Sequence, residues 1–433
     1  MKKQMIIYIK SAFYFFLILC TINLVFFIAN SLTYLIPNRV IRNNIKDSVN
    51  NFDNRLYMYP FFENKNEISE MYRLDNFTDA LILITAYTPD SKYHNIFQKA
   101  VLNSKYQINH NPVESLKVLI KKNDNANLTY ERYWFGILFF LKPLLAFFTY
   151  QTIRYLNYII ISLLLLGLLF IIKDKLGIEF SFIFFLTIIF MGSLIIPMSL
   201  QYTPVYIVML VSSIIILKKY DNKAIDNQKL LRFFLIVGCF TAYLDLLSYP
   251  LVTLGIPLIF LILLNVNKNR LNNYKIILFC VLWGIGYFGS YFLKWVLASI
   301  ILNKNVISSS VDQFLFRASS ENIGRLDAIT SNFKIFFNKF NLIFIIIYLL
   351  LIFYFLVFKK CIRKKIDYKS IYNLLLVSIM PYIWYMVLAN HSYIHFWMAF
   401  RIQAITFFAI SSIPLLLIDF KKLKKTLKRS DFF

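Results

Sequence analysis

Residues 134–150 read WFGILFFLKPLLAFFTY. The run is apolar and about 17 residues long, at the lower limit for a helix that crosses a bilayer. It also holds Lys142 and Pro143. Whether it crosses decides the side of every later loop. If it does, Lys359-Lys360-Cys361-Ile362-Arg363-Lys364-Lys365 and Lys218-Lys219 face outward. If it lies in the interface, these runs share the cytoplasmic side with Lys2, Lys3, Lys10, Lys173, Lys175 and Lys421-Lys422-Leu423-Lys424-Lys425. Lys and Arg collect in cytoplasmic loops, so the interfacial reading is preferred. Pro143 also opposes an uninterrupted span, because it removes a helix hydrogen bond.

Composition sets the frame around this segment. Of 433 residues, 59% are hydrophobic and only 16% charged, with a mean hydropathy of +0.60. A soluble globular domain does not have that balance. The net charge of +25 would suit nucleic acid, but the basic residues stand in short runs between apolar segments. That is the pattern of topology-setting loops, and no nucleic acid partner is expected. Cys20, Cys239, Cys280 and Cys361 have no CxxC spacing, so neither a metal site nor a disulfide framework is read. The apolar run from the N-terminus to Ile36 is too long for a signal-peptide core and has no A-x-A-like cleavage site. It is expected to be a retained first transmembrane helix.

The expected fold is a single all-α integral membrane domain over residues 1–433. About ten spans are placed near 8–30, 152–172, 179–197, 204–217, 233–250, 251–266, 276–300, 339–358, 371–389 and 402–418. Both termini are then cytoplasmic, in a multi-pass protein of the cell membrane. Residues 37–151 form a large first extracytoplasmic loop with interfacial helices. A second outer loop runs from Asn303 to Phe336, and a third from Asn390 to Arg401.

The first loop is the place to look for chemistry. Its polar part, Pro37 to Tyr133, holds about half of the chain's 22 acidic residues, and a protein that merely spans has no use for it. Within it stands Arg73-Leu74-Asp75-Asn76-Phe77-Thr78-Asp79. On a helix, Asp75 and Asp79 share a face. Paired carboxylates raise one another's pKa, and one can serve as a base near neutral pH. The plainer reading is a helix cap before Ala80-Leu81-Ile82-Leu83-Ile84. Glu131-Arg132-Tyr133-Trp134 reads either as an interface anchor or as a site in which Arg132 holds a phosphate and Glu131 is an alternative base.

Three further groups are candidates. Asn390-His391-Ser392-Tyr393-Ile394-His395, followed by Arg401, reads as a cationic hydrogen-bonding cluster for phosphate oxygens. A histidine metal pair and a polar loop with a snorkelling Arg are the alternatives. Lys294 and Asp245 lie near the outer ends of their spans, as substrate contacts or as snorkelling and helix-terminating residues. Gly284 and Gly286 lack the third glycine of a dinucleotide fingerprint and read as helix packing.

The arrangement resembles the GT-C integral membrane glycosyltransferases. The likeness lies in one span, a large outer loop with an acidic motif and interfacial helices, then many spans. Glu131-Arg132-Tyr133-Trp134-Phe135-Gly136 and Asn390-His391-Ser392-Tyr393-Ile394-His395 are similar to motifs in bacterial members that decorate cell-surface polysaccharides. The acidic motif departs from the usual pattern, lying some 40 residues beyond the first span. The resemblance implies sugar transfer from a polyprenyl-phosphate donor to a polysaccharide or glycolipid acceptor, among membrane lipids, on the outer face.

Under that reading the leaving group is already a phosphate anion, so no general acid is needed, unlike the two-carboxylate glycosidases. One carboxylate, from Asp75, Asp79 or Glu131, takes the acceptor proton. Arg132, Tyr133, Lys294, His391, His395, Arg401 and Asp245 bind substrate. Single displacement inverts the anomeric centre. No cofactor is expected, although a diphosphate donor would favour a divalent metal. Other classes are a polymerase or ligase using diphosphate-linked oligosaccharides, and a flippase or transporter. A polymerase or ligase commonly carries its large outer loop late in the chain, and a transporter would put charges at mid-bilayer. No GxxxxGK[ST] motif occurs, so ATP-driven transport is not expected.

Overall fold

A computed structural model describes residues 2–52, 55–62, 66–89, 95–220, 227–268, 270–320 and 323–423. The protein is an all-helical membrane protein, and the one sheet among the described residues is the two-stranded pairing of Tyr57–Met58 with Leu74–Asp75. Among the described residues, seven helical segments are long and apolar enough to cross a bilayer: Lys10–Thr33, Tyr150–Lys175, Tyr202–Lys219, Asn273–Leu302, Lys339–Phe358, Tyr368–Val387 and Phe396–Leu417. The other expected spans correspond to the shorter apolar helices Ile178–Phe190 and Val252–Leu264 and to Asn227–Leu244, which opens on polar residues.

Hydrogen bonds sort the connections into two ends. At one end, Arg363 N donates to Leu417 O, Asp419 N to Cys361 O, and Asn267 N to Asp367 Oδ2. The runs Lys218-Lys219 and Lys359–Lys365 close helices at this end. At the other end, Asn30 Nδ2 donates to Trp134 O, Leu200 N to Asp79, Trp295 Nε1 to Arg132 O and Asn332 Nδ2 to Ser392 O. All three expected outer loops therefore meet at one end, away from those basic runs.

Within 134–150, the helix is Leu138–Phe147, ten residues. At 1.5 Å per residue it reaches about 15 Å, half of a hydrocarbon core of about 30 Å. Leu138, Leu141 and Leu145 are buried, while Phe139, Phe140 and Phe147 are exposed. It lies along Asn38–Ser48, with Asn44 Nδ2 on Leu145 O at 2.9 Å. The expected second outer loop is also structured, as the helices Val306–Ala318 and Arg325–Phe336. Glycine sets one packing distance that matters here. A Cβ on Gly238 would lie 2.2 Å from Trp283 O, and one on Gly286 would lie 2.2 Å from Leu235 O. Asn227–Leu244 and Asn273–Leu302 thus touch backbone to backbone, which only small residues allow. Gly284 faces open space instead.

Candidate functional site

Asp75 ends the short strand and caps the helix Asn76–Tyr87, accepting from Thr78 N at 3.0 Å and Thr78 Oγ1 at 2.9 Å. The plain capping reading is therefore realised, which does not exhaust the carboxylate. It is 2% exposed, and burial pushes its pKa up to about 6, with Asp79 adding to the rise and the Thr78 bonds and Arg73 opposing it. A carboxyl at that value is largely ionised at neutral pH and still basic enough to accept a proton.

The surroundings of Asp75 are cationic and aromatic. The Arg73 guanidinium lies between two rings, 3.7 Å from the centre of Tyr57 and 3.8 Å from that of Trp397. It is paired with Glu70 at 3.1 Å. Trp397 touches the His395 ring, which in turn meets His391, with centroids 5.2 and 4.7 Å apart. His391 Nε2 lies 2.7 Å from Leu247 O, in a backbone turn where Leu247 has φ +65°. His395 Nδ1 and Trp397 Nε1 are buried without a hydrogen-bond partner among the described residues.

Asp79 stands in a different setting. Fully buried, it accepts from Tyr150 Oη, Ser199 Oγ at 3.1 Å, Leu200 N at 3.1 Å and Gln201 N at 3.4 Å. Arg154 Nη2 donates to the same Tyr150 hydroxyl. Burial raises the Asp79 pKa, and Arg154 and these donors oppose the rise. Its lone pairs are spent on tying the segment after the first membrane helix to the turn at Ser199–Gln201.

An apolar groove of about 370 Å³ runs between Asn273–Leu302 and Val306–Ala318, lined by Phe288, Phe292, Trp295 and Phe314, with Arg132 and Arg317 also in its wall. Arg317 Nη1 donates to Tyr133 Oη. Arg317 and Arg73 both act electrostatically on His395. A separate cleft of about 590 Å³ is lined by Asn66, Glu67, Glu70, Asp327, Lys334 and Tyr393, and Glu70 ties it to the Arg73 pair.

The remaining expected site residues are drawn elsewhere. Glu131 is paired with Lys304 at 3.0 Å and accepts from Thr129, and its pKa lies below the ordinary value because those bonds outweigh its burial. Lys294, 0% exposed, donates to Ala100 O and Val101 O, both at 3.1 Å. It closes the last turn of Ile96–Leu102. Asp245 accepts from Ser248 N, Ser248 Oγ and Tyr287 Oη, holding the turn that presents Leu247 O. Arg401, 0% exposed, donates to Trp397 O and Met71 O and so braces the site from beneath.

The histidine cluster requires a correction. Burial, with Arg317 nearby, holds His391 well below its ordinary pKa and takes His395 down to about 4. Both rings are neutral at pH 7, and the cations of the site are Arg73 and Arg317. Neither arginine was singled out from sequence. Arg317 had one signal, the apolar run Phe314-Leu315-Phe316 beside it in a loop expected to be polar. The pairing of Arg73 with Trp397 crosses more than 300 residues and left none. Comparison of the chain with family models, with curated proteins and with solved structures finds no match.

Proposed function

We propose that the protein is a GT-C-like glycosyltransferase that moves a sugar from a polyprenyl-phosphate carrier to a polysaccharide or glycolipid acceptor. In this reading the chain crosses the cell membrane ten times, with both termini cytoplasmic and the Asp75 end outside. The observation that carries the reading is the buried carboxylate of Asp75, with its raised pKa, in a segment that also contributes Arg132 to an apolar groove and Glu70 to a cleft of mainly polar side chains. A lipid-linked donor needs the groove and a sugar acceptor the cleft.

Asp75 takes the proton from the acceptor hydroxyl as its oxygen attacks the anomeric carbon. The carbon–oxygen bond to phosphate breaks, and the electron pair leaves with the phosphate. Arg73 and Arg317 offset its charge in a dry site, where preorganised donors act most strongly. Attack from the side opposite the leaving group inverts the anomeric centre. Sugar transfer from polyprenyl-phosphate sugars by purified wild type, Asp75→Asn and Asp79→Asn tests the reading. Full activity in both single variants and in the double variant would sink the Asp assignment and move attention to Glu131. Donor crossing a vesicle membrane with no transfer would favour a flippase.

A further inference from the structure

A second polar cavity, of about 280 Å³, lies between the helices Asn76–Tyr87, Ile96–Leu102 and Leu138–Phe147. Lys142 and Lys99 both line it. Lys142 is 1% exposed. Its ammonium sits 4.6 Å from the centre of the Tyr34 ring and makes no hydrogen bond or ion pair among the described residues. A buried ammonium with only a ring against it is costly to hold. The second lysine adds to that cost: burial, then Lys99, lower the Lys142 pKa to about 8.

The cavity wall does not explain the lysines. No carboxylate lines it among the described residues. The carbonyls ending Asn76–Tyr87 are engaged, since Asn38 Nδ2 donates to Tyr87 O at 2.6 Å and to Thr88 O at 3.4 Å. The Thr85 and Thr88 hydroxyls donate into their own helix, to Leu81 O and Ile84 O. Two lysines therefore line a space with ample room for a phosphate group. Tyr34, Ile36 and Pro37 form the rim where the first membrane helix ends, and Phe140 and Phe147 stand exposed on Leu138–Phe147.

We propose that Lys142 and Lys99 form a phosphate-binding site, separate from the Asp75 site, for the phosphate of a lipid headgroup or for free phosphate. Two cationic donors closing on one anion give charge-assisted hydrogen bonds. The site does not rest on the sugar-transfer reading, and its failure leaves that reading untouched.

Two probes separate the sources. Native mass spectrometry of protein released from phosphatidylcholine nanodiscs doped with phosphatidylglycerol reads the lipid. Equilibrium dialysis of detergent-purified protein against labelled inorganic phosphate reads the free anion. One phosphatidylglycerol or one phosphate per chain is expected, with affinity reduced at least about tenfold in Lys142→Met and less in Lys99→Met. Lys99→Met, at a half-buried position, keeps the test open if Lys142→Met does not fold. Equal binding in wild type and both variants, or binding of neither probe, overturns the proposal. Asp90 follows the lining residue Pro89 and lies outside the described residues. Phosphate binding that appears only in Asp90→Asn would make Asp90 the lysines' own partner, and overturns the proposal too.

Discussion

Asp79 and Asp75 lie one helical turn apart and hold the same side chain in different settings. Asp79 accepts from four groups on two other segments. Among the described residues Asp75 accepts only from Thr78, within its own turn, and Arg73, two residues before it, is held between two rings. A carboxylate whose lone pairs are all taken holds structure together. One that accepts only within its own turn has capacity left for a ligand.

The sharpest break in this comparison is a pair of isosteric changes. Asp75→Asn keeps the helix cap, since Asn caps as well as Asp, and removes the base. Sugar transfer should fall by roughly 10²–10⁴-fold, the usual contribution of a general base. The melting temperature at pH 7 should stay level or rise. The sign follows from the pKa, which goes from 3.8 when free to about 6 in the fold. A raised carboxyl adds stability below its free value and loses it as pH rises through about 6, so ionised Asp75 costs stability at pH 7. Lost activity with a lowered melting temperature would reduce Asp75 to a cap.

Asp79→Ala should do the reverse. It strands Tyr150, Ser199 and Leu200 as buried donors and leaves Arg154 without its opposite charge. Breaking a buried charged network of this kind costs roughly 3–5 kcal/mol. Denaturant unfolding of the purified protein should show the loss. An unchanged midpoint, with activity abolished, would exchange the roles of the two aspartates.

The helical membrane frame was legible because apolar length and basic runs are local signals. Lys218-Lys219 and Lys359–Lys365 sorted the loops before any contact was known, and the short helix Leu138–Phe147 fits the interfacial reading of 134–150. The candidate site was legible only in part. Asp75 announced itself by its place in a polar block. Glu131, Lys294 and Asp245 announced themselves equally, and their partners Lys304, Ala100 and Ser248 draw them elsewhere. A buried charge looks the same in sequence whether it meets a carbonyl or a substrate. Arg73 gains its meaning from Trp397, and that contact is set by how Phe396–Leu417 returns to the outer loop.

The groove gives a smaller effect. If Arg317 binds donor phosphate, Arg317→Gln should raise the donor KM about tenfold or more with a modest change in kcat, since charge-assisted hydrogen bonds contribute about 1.5–3 kcal/mol. The acceptor KM should hold. A shift in the acceptor KM alone would move the donor to the Glu70–Asp327 cleft. The pH profile sharpens the same comparison. With Asp75 as the base, kcat/KM should fall about tenfold per pH unit below about 6 and level off above it.

His391→Gln should have the least effect, and it tests whether the histidines belong to the charge of the site or to its frame. A cationic His391 would lose the clamp on replacement by a neutral amide, with a penalty like that of Arg317→Gln. The ring is instead buried, neutral and 2.7 Å from Leu247 O, so its Nε2–H donates there. A Gln amide can reach the same carbonyl with an N–H and the same lack of charge. Activity should stay within about threefold, because the net worth of one neutral hydrogen bond is only about 1 kcal/mol, and the acid limb of the pH profile should not move. A loss beyond tenfold, or an acid limb displaced from about 6, would mean that the imidazole carries charge during turnover. The phosphate clamp would then extend from Arg317 through His391.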